Sequence, residues 1–464
     1  MGVLETAAFE SVVQLGCRLR TGEFTSVELT EFFLKRLETR GKELNAVVTV
    51  TRELALREAA AADAELKAGR DRGPLHGIPY GAKDLLATRD IPTTWGAAPY
   101  KERVIDDEAT VIRRLRDAGA VLVAKLAMVE LAGGMGYRQA NAALTGPGLN
   151  PWATDSWAGG SSSGSGAAVA AGLVPFAIGS ETWGSIMTPA GYCGVTGLRP
   201  TYGRVSRAGA MALSWSLDKL GPLAHTAEDC ALVLSAIAGV DARDDSSLDL
   251  PFTWPPPRRE GGKFQLAVLL EPRLALQPEV SANYERALAT LREMGEFREL
   301  VLPNLPTDAA AGTIISCEMA AIFGPMIRSG DVWELTAPED RLGGYAAQLI
   351  PAVDYINSQR IRRKAQLAFD ELLATVDVIV TPTLATVAPP IAREFRDYHA
   401  PYRPSGIGGI GNLCGVPAIT LPSGQGERGL PTAIQLVARV GAESRLLEVA
   451  TEFQRRTNWH AVHP

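Results

Sequence analysis

The sequence predicts a mixed α/β fold, with a central β-sheet covered by α-helices on both sides. Two features carry this prediction. Helix-forming segments alternate with short apolar runs of strand length, and 46% of the 464 residues are hydrophobic against 21% charged, enough to bury a large core. We read residues 1–464 as a single domain, because large α/β enzymes often exceed the usual domain length as one unit.

The elements follow in chain order. Residues 1–70 read as a helical segment: Thr25 and Glu28 have capping-box spacing ahead of "VELTEFFLKRLETR", and "ELALREAAAADAELKAG" is built from strong helix formers. "AVVTV" between them has strand character. "ATVIRRLRDAGA" then closes on Gly119 and leads into the apolar strand "VLVAK". Further strands are predicted at "LVPFAI", "FQLAVLL" and "DVIVTP", each near a helical segment. Residues 244–263, "DDSSLDLPFTWPPPRREGGK", concentrate proline, glycine and charge and read as a surface linker.

Charge and cysteine content narrow the partners. A net charge of −6 without a basic run gives no footprint for nucleic acid or anionic lipid, so a small-molecule partner is expected, with the chain a monomer or homodimer. The five cysteines are scattered without C-x-x-C spacing, which suggests neither a disulfide framework nor a zinc site. The N-terminus carries acid where a signal peptide carries base, and the longest apolar stretch, 166–178, is too short to span a bilayer and contains Pro175. A cytoplasmic protein is expected. The five histidines show no metal spacing; His76 reads as a structural imidazole, with a place at the site as the lesser alternative. "GIGGIG" (406–411) matches G-x-G-x-x-G but follows no strand, and Ser216 to Lys219 spells S-x-x-K without partner motifs. Neither is taken as a site.

The stretch "AGGSSSGSGAA" (158–168) is richer in serine and glycine than an ordinary loop needs. A linker is disfavoured by the apolar sequence on both flanks, and a phosphate loop by the absence of G-x-x-x-x-G-K-[ST]. Gly160 to Gly164 fits the G-x-S-x-G elbow, which would make Ser162 the nucleophile of an α/β-hydrolase. The small residues "AAVAAGLVPF" follow, so the loop is expected to lead into a helix N-terminus.

Three further segments decide among these. "GPLHGIPYGAKD" (73–84), "SETWGSIMTPAGYCGVTGLRPTYGRVSRAGA" from Ser180, and "GVPAITLP" with "GLPTAIQLVA" together resemble the amidase signature family, from about Asn45 to His460. The resemblance implies the amidase signature fold and a Ser–cisSer–Lys triad. By motif, the lysine is Lys83, the bridging serine Ser161 behind a cis peptide, and the nucleophile Ser185. It also implies oxyanion donors from the backbone of Thr182, Trp183, Gly184 and Ser185, and an acyl-binding side formed by "GGMGY", with Met135 as the contact. No metal or organic cofactor is implied.

The chemistry of such a triad follows from its parts. A serine hydroxyl needs a base, and lysine serves as one only when burial keeps it neutral. A second hydroxyl between them can accept from one partner while donating to the other.

The usual "DTGGSIR" of the family is here "ETWGSIM", with Glu181, Trp183 and Met187 at the changed positions. An ion pair between the first and last of these is expected to be lost. Trp183 and the missing arginine both point to an apolar aryl or alkyl amide as substrate. A carbamate or ester hydrolase on the same triad, and the glutaminase subunit of a tRNA-dependent amidotransferase, are the alternatives.

Overall fold

The computed structural model describes residues 4–257 and 262–464. Its strands in chain order are β1 Val47–Val50, β2 Pro79–Lys83, β3 Val121–Leu126, β4 Leu149–Asn150, β5 Ala153–Trp157, β6 Phe176–Glu181, β7 Thr196–Arg199, β8 Lys219–Ala224, β9 Phe264–Leu269, β10 Gly295–Leu300, β11 Val378–Pro382, β12 Ala418–Gln425 and β13 Pro431–Val437. Eleven of them form one sheet in the order β1-β3-β2-β6-β8-β7-β12-β13-β11-β9-β10, while β4 and β5 pair as a separate ribbon. The sheet is mixed. β2 runs parallel to β3 and β6, every pair from β6 across the middle of the sheet to β11 is antiparallel, and β11, β9 and β10 are again parallel.

Alternation along the strands divides the core into two faces. In β6, Phe176 and Ile178 join one apolar cluster and Ala177 the other; in β11, Val378 and Val380 oppose Ile379 in the same way. Strands β2, β3, β6 and β8 are buried at every position; β3 reads as a continuous apolar run, the predicted "LVPFAI" strand forms only from Phe176, and β2 and β8, which carry glycine, proline and lysine, were not anticipated. Helices cover both faces.

The predicted strands at 46–50, 121–125, 264–270 and 377–382 all form. The capping box forms too, with Thr25 and Glu28 closing the first turn of helix Ser26–Arg36. The Ser/Gly loop differs from expectation: the helix after it begins at Ser163 and runs to Ala170, so the second half of the stretch 158–168 is already helical. A Cβ on Gly164 would sit 2.4 Å from both Ala127 N and Ala46 O, so only glycine lets that turn press against the backbone beside β1 and β3. Residues 406–411 begin the helix Ile407–Cys414. Of the predicted linker, residues 258–261 lie outside the described residues, as do residues 1–3 of the N-terminal segment. Residues 248–251 are pinned to the body, Leu248 N donating to Gly203 O and the Arg204 guanidinium to the carbonyl of Leu250. Among the described residues no helix is long and apolar enough to cross a membrane.

Candidate active site

Parallel pairing of β2 and β6 brings their carboxyl ends to one edge of the sheet, where ligand sites of α/β proteins form. β2 ends in Lys83 and β6 in Ser180 and Glu181. Two backbone hydrogen bonds draw the serine loop to this edge: Val129 N donates to Ser161 O at 3.0 Å, and Ser162 N to Ser185 O at 3.3 Å. The Gly160–Ser161 peptide is cis. Gly159 before it holds φ +86°, and a Cβ there would meet Pro189 Cα at 2.7 Å.

Lys83 is fully buried, its Nζ 2.8 Å from Ser161 Oγ and 2.9 Å from Ser180 Oγ. Burial pushes its pKa down to about 7, against the weaker opposing pull of Asp218 and Glu181. The amine is therefore available in neutral form near pH 7, in contact with a hydroxyl that can hand it a proton.

The turn that carries Ser185 is anchored from below. Glu181 accepts from Ile186 N at 2.9 Å and Met187 N at 3.0 Å, and Arg199 Nη1 donates to it at 2.8 Å. Burial works against the charge of Glu181, but Arg199 and Lys219 outweigh it and hold the carboxyl at about 2. The expected loss of an ion pair is thus corrected in part: Met187 offers no charge, and Glu181 takes Arg199 from β7 instead. Gly184 holds φ +81°. Among the hydrogen bonds of the described residues, the N–H groups of Trp183, Gly184 and Ser185 donate to no protein acceptor. Thr182 Oγ1 donates to Asp218 at 2.6 Å.

Ser162, the elbow serine, is fully buried and does not line the cavity beside Ser185. Its hydroxyl is committed to the backbone of Ser180, donating to the carbonyl at 3.2 Å and accepting from the N–H at 3.3 Å.

That cavity encloses about 510 Å³, within the usual range for small-molecule sites. Ser185, Thr182 and Gly160 reach it from the sheet edge, and Tyr137, Trp157, Trp183, Tyr192, Phe395 and Tyr402 form its walls. Trp157 and Phe395 stack at 4.3 Å between ring centroids. None of the described residues lining it is Asp, Glu, Lys or Arg; the one imidazole, His399, is kept neutral by burial. Trp183 stands on the rim, 38% exposed.

Two expectations, those for Met135 and Met187, are placed differently, whereas His76 lies away from the cavity as its main reading had it. Met135 is buried and off the cavity, packed against Gly343 and Gly344, while Gly133, Gly134 and Tyr137 of the same segment line it. Met187 is buried with its sulfur accepting from Thr420 Oγ1, so the loss of arginine there does not shape the cavity wall. His76 lines a separate recess with Glu65 and Arg72. Sequence reasoning also missed Ser180, the second partner of Lys83, and most of the aromatic wall. The segment "EFRDYHAPYR", dense in aromatics and supplying Phe395, His399 and Tyr402, was the available signal. Among the described residues no cluster of three or more His, Cys, Asp or Glu is arranged to hold a metal.

The Amidase family model matches residues 28–447. A glutamyl-tRNA(Gln) amidotransferase subunit from Chloroflexus aggregans is 38% identical, with 96% of each chain covered. Among solved structures, a chain of a vestigial protein complex bearing on the evolutionary origins of an s-triazine catabolic enzyme superposes with a TM-score of 0.89 at 30% identity, covering 97% of this chain and 98% of that one. Native peptide amidase from Stenotrophomonas maltophilia gives 0.84 at 31% identity, with 97% of both chains covered. A match that spans the buried lysine, the serine loop and the Ser185 turn within one continuous sheet leaves a single assignment: the chain belongs to the amidase family, enzymes that hydrolyse carbon–nitrogen bonds other than peptide bonds.

Proposed function

We propose that the protein hydrolyses an uncharged aryl or alkyl amide through an acyl-enzyme on Ser185. Ser185 Oγ attacks the carbonyl carbon while its proton passes to Ser161, whose own proton passes to Lys83. The carbonyl oxygen becomes an oxyanion held by the free N–H groups of residues 183–185. Collapse expels the amine, which takes the proton back through Ser161, and water then cleaves the ester on Ser185 by the same relay.

The observation that supports the substrate class is the uncharged cavity wall. Glutamine carries an α-carboxylate and an α-ammonium, and binding both without a charged partner leaves each to be desolvated unpaired. A neutral amide carries no such penalty. Carbamates and esters share the carbonyl and the oxyanion and are secondary substrates on this reading.

A specific observation favours a second reading, the glutaminase subunit of a tRNA-dependent amidotransferase. The curated relatives, at 34–38% identity over nearly the whole chain, carry that amidotransferase's name, which makes it the better supported of the two by sequence. The experiment that separates them is turnover of the purified protein on a panel of an anilide, an aliphatic amide, a carbamate, an ester and glutamine. Faster hydrolysis of the anilide supports the first reading; glutamine as the preferred substrate, together with co-purification of partner subunits, replaces it with the second.

A further inference from the structure

Another buried lysine lies beneath the Ser185 turn. Lys219, at the start of β8, is 2% exposed and forms no ion pair among the described residues. Its Nζ donates to Asn412 Oδ1 at 2.8 Å and to Thr182 O at 3.3 Å. Asn412 is itself fixed, its Nδ2 donating to Gly408 O at 2.9 Å within helix Ile407–Cys414. Thr182 is thus gripped twice by consecutive residues, its hydroxyl by Asp218 and its carbonyl by Lys219.

The carbonyl of Thr182 belongs to the same peptide unit as the N–H of Trp183. A donor on the oxygen of a peptide withdraws density from it and strengthens its N–H as a donor, and in a low-dielectric interior the effect is larger. Placing an amine here is costly: burial and the nearby Arg199 cation both hold the Lys219 pKa well below the ordinary lysine range, against the pull of Glu181 and Asp218. A leucine or methionine would fill the space without that cost, so the amine is not there for stability.

We infer that Lys219 is a positioning residue that fixes and polarises the Thr182–Trp183 peptide, so that the Trp183 N–H is aimed and strengthened as an oxyanion donor. The inference rests on the reading that attack occurs at Ser185 with these N–H groups receiving the charge.

The test uses Lys219→Met and Asn412→Ala, each compared with the parent in kcat and KM on a small neutral amide. Inhibition by an aldehyde, which forms a tetrahedral adduct with a serine nucleophile, is compared with inhibition by the corresponding alcohol, which forms none. Lys219→Met is expected to lower kcat about ten- to a hundredfold and to weaken the aldehyde by the same factor, while KM and the alcohol shift by less than about threefold. Asn412→Ala, which keeps the amine but frees it, shows the same pattern at smaller size and carries the test alone if Lys219→Met does not fold. A kcat within about threefold of the parent, or equal losses of aldehyde and alcohol binding with a lowered Tm, overturns the inference. Ser185→Ala separates the two levels. Activity that survives in Ser185→Ala removes the underlying reading, whereas an inactive Ser185→Ala beside a native-like Lys219→Met removes only the role of Lys219.

Discussion

Lys83 and Lys125 occupy neighbouring register positions on the paired strands β2 and β3, and only Lys125 meets a carboxylate. Its Nζ lies 2.9 Å from Asp84 Oδ1, with both side chains fully buried, and a second hydrogen bond runs to Thr93 at 2.9 Å. Lys83 meets two hydroxyls and nothing charged. Burial penalises both ammoniums and lowers both pKa values, and at Lys125 the adjoining Asp84 carboxylate offsets part of that penalty. Of the two, Lys83 is the amine suited to accept a proton.

A pH profile follows. Because the Lys83 pKa sits at about 7, kcat/KM should rise with pH and level off above that value, the neutral amine being the active form. Lys83→Met should abolish acylation, and Lys83→Arg should not restore it, since a guanidinium cannot be deprotonated usefully here. The sign for stability is opposite to that of a salt-bridged lysine. The folded pKa lies below that of the free side chain, so the unfolded chain holds the proton more tightly, and burial costs most below about pH 7. The Tm of Lys83→Met relative to the parent should therefore be higher at acid than at alkaline pH, by calorimetry. An Arg variant with near-native turnover would rule out the base.

Covalent labelling addresses the nucleophile. A fluorophosphonate should modify Ser185 alone, because its side chain reaches the cavity and adjoins the free N–H groups, whereas Ser162 is turned to the backbone of Ser180. Peptide mapping reads the site. Label retained in Ser185→Ala and lost in Ser162→Ala would transfer the role to the elbow serine.

Trp183→Gly restores the residue usual in the family while keeping the backbone donor. With the indole on the cavity rim, this change should cost an aryl amide about 1–3 kcal/mol in kcat/KM and leave a small amide within about tenfold of the parent. Equal losses on both substrates, accompanied by a lower Tm, would make the ring a scaffold element.

Arg199→Met leaves Glu181 charged and unpaired in the interior, which should destabilise the fold by about 3–5 kcal/mol. Adding Glu181→Gln should recover part of that loss. In the parent the Glu181 carboxyl, held at about 2, contributes stability above the pKa of a free carboxyl that is lost as pH falls through about 2. Denaturant melts of the single and double variants measure the coupling.

Much of this was legible in the sequence for local reasons. Strands such as "VLVAK" and "DVIVTP" are apolar because they are buried on both faces, and Lys83, Ser161 and Ser185 stand in short segments whose order and composition are specific. What escaped depends on long-range packing. The helices Pro278–Met294, Thr307–Ile322, Pro338–Ala347 and Ala352–Leu373 were not anticipated. The cavity wall is assembled from positions 137, 157 and 192 and from the segment 395–402, which no local pattern joins to one another. Met135 was assigned from the family resemblance and Met187 from its place beside Ser185, yet Met135 is buried against Gly343 and Gly344, and Met187 opens the helix Met187–Cys193 with its side chain in the core. Glu181 found its cation on β7, a strand with no sequence cue to that contact.

The Ser185 turn hangs on Glu181, whose two acceptor contacts to Ile186 and Met187 and whose guanidinium partner all lie on the side away from the cavity. The shape of the turn is set from behind, so the side chain at position 183 is not what maintains it. This separates two kinds of inheritance within residues 181–187: the frame to which acyl transfer is ascribed under the proposed function is locked, while the residue on the cavity rim is open to drift. A lineage could exchange glycine for tryptophan in one step and acquire new substrates without rebuilding its chemistry. Libraries randomised at Trp183 alone should accordingly yield a high proportion of folded, active enzymes that differ in what they cleave.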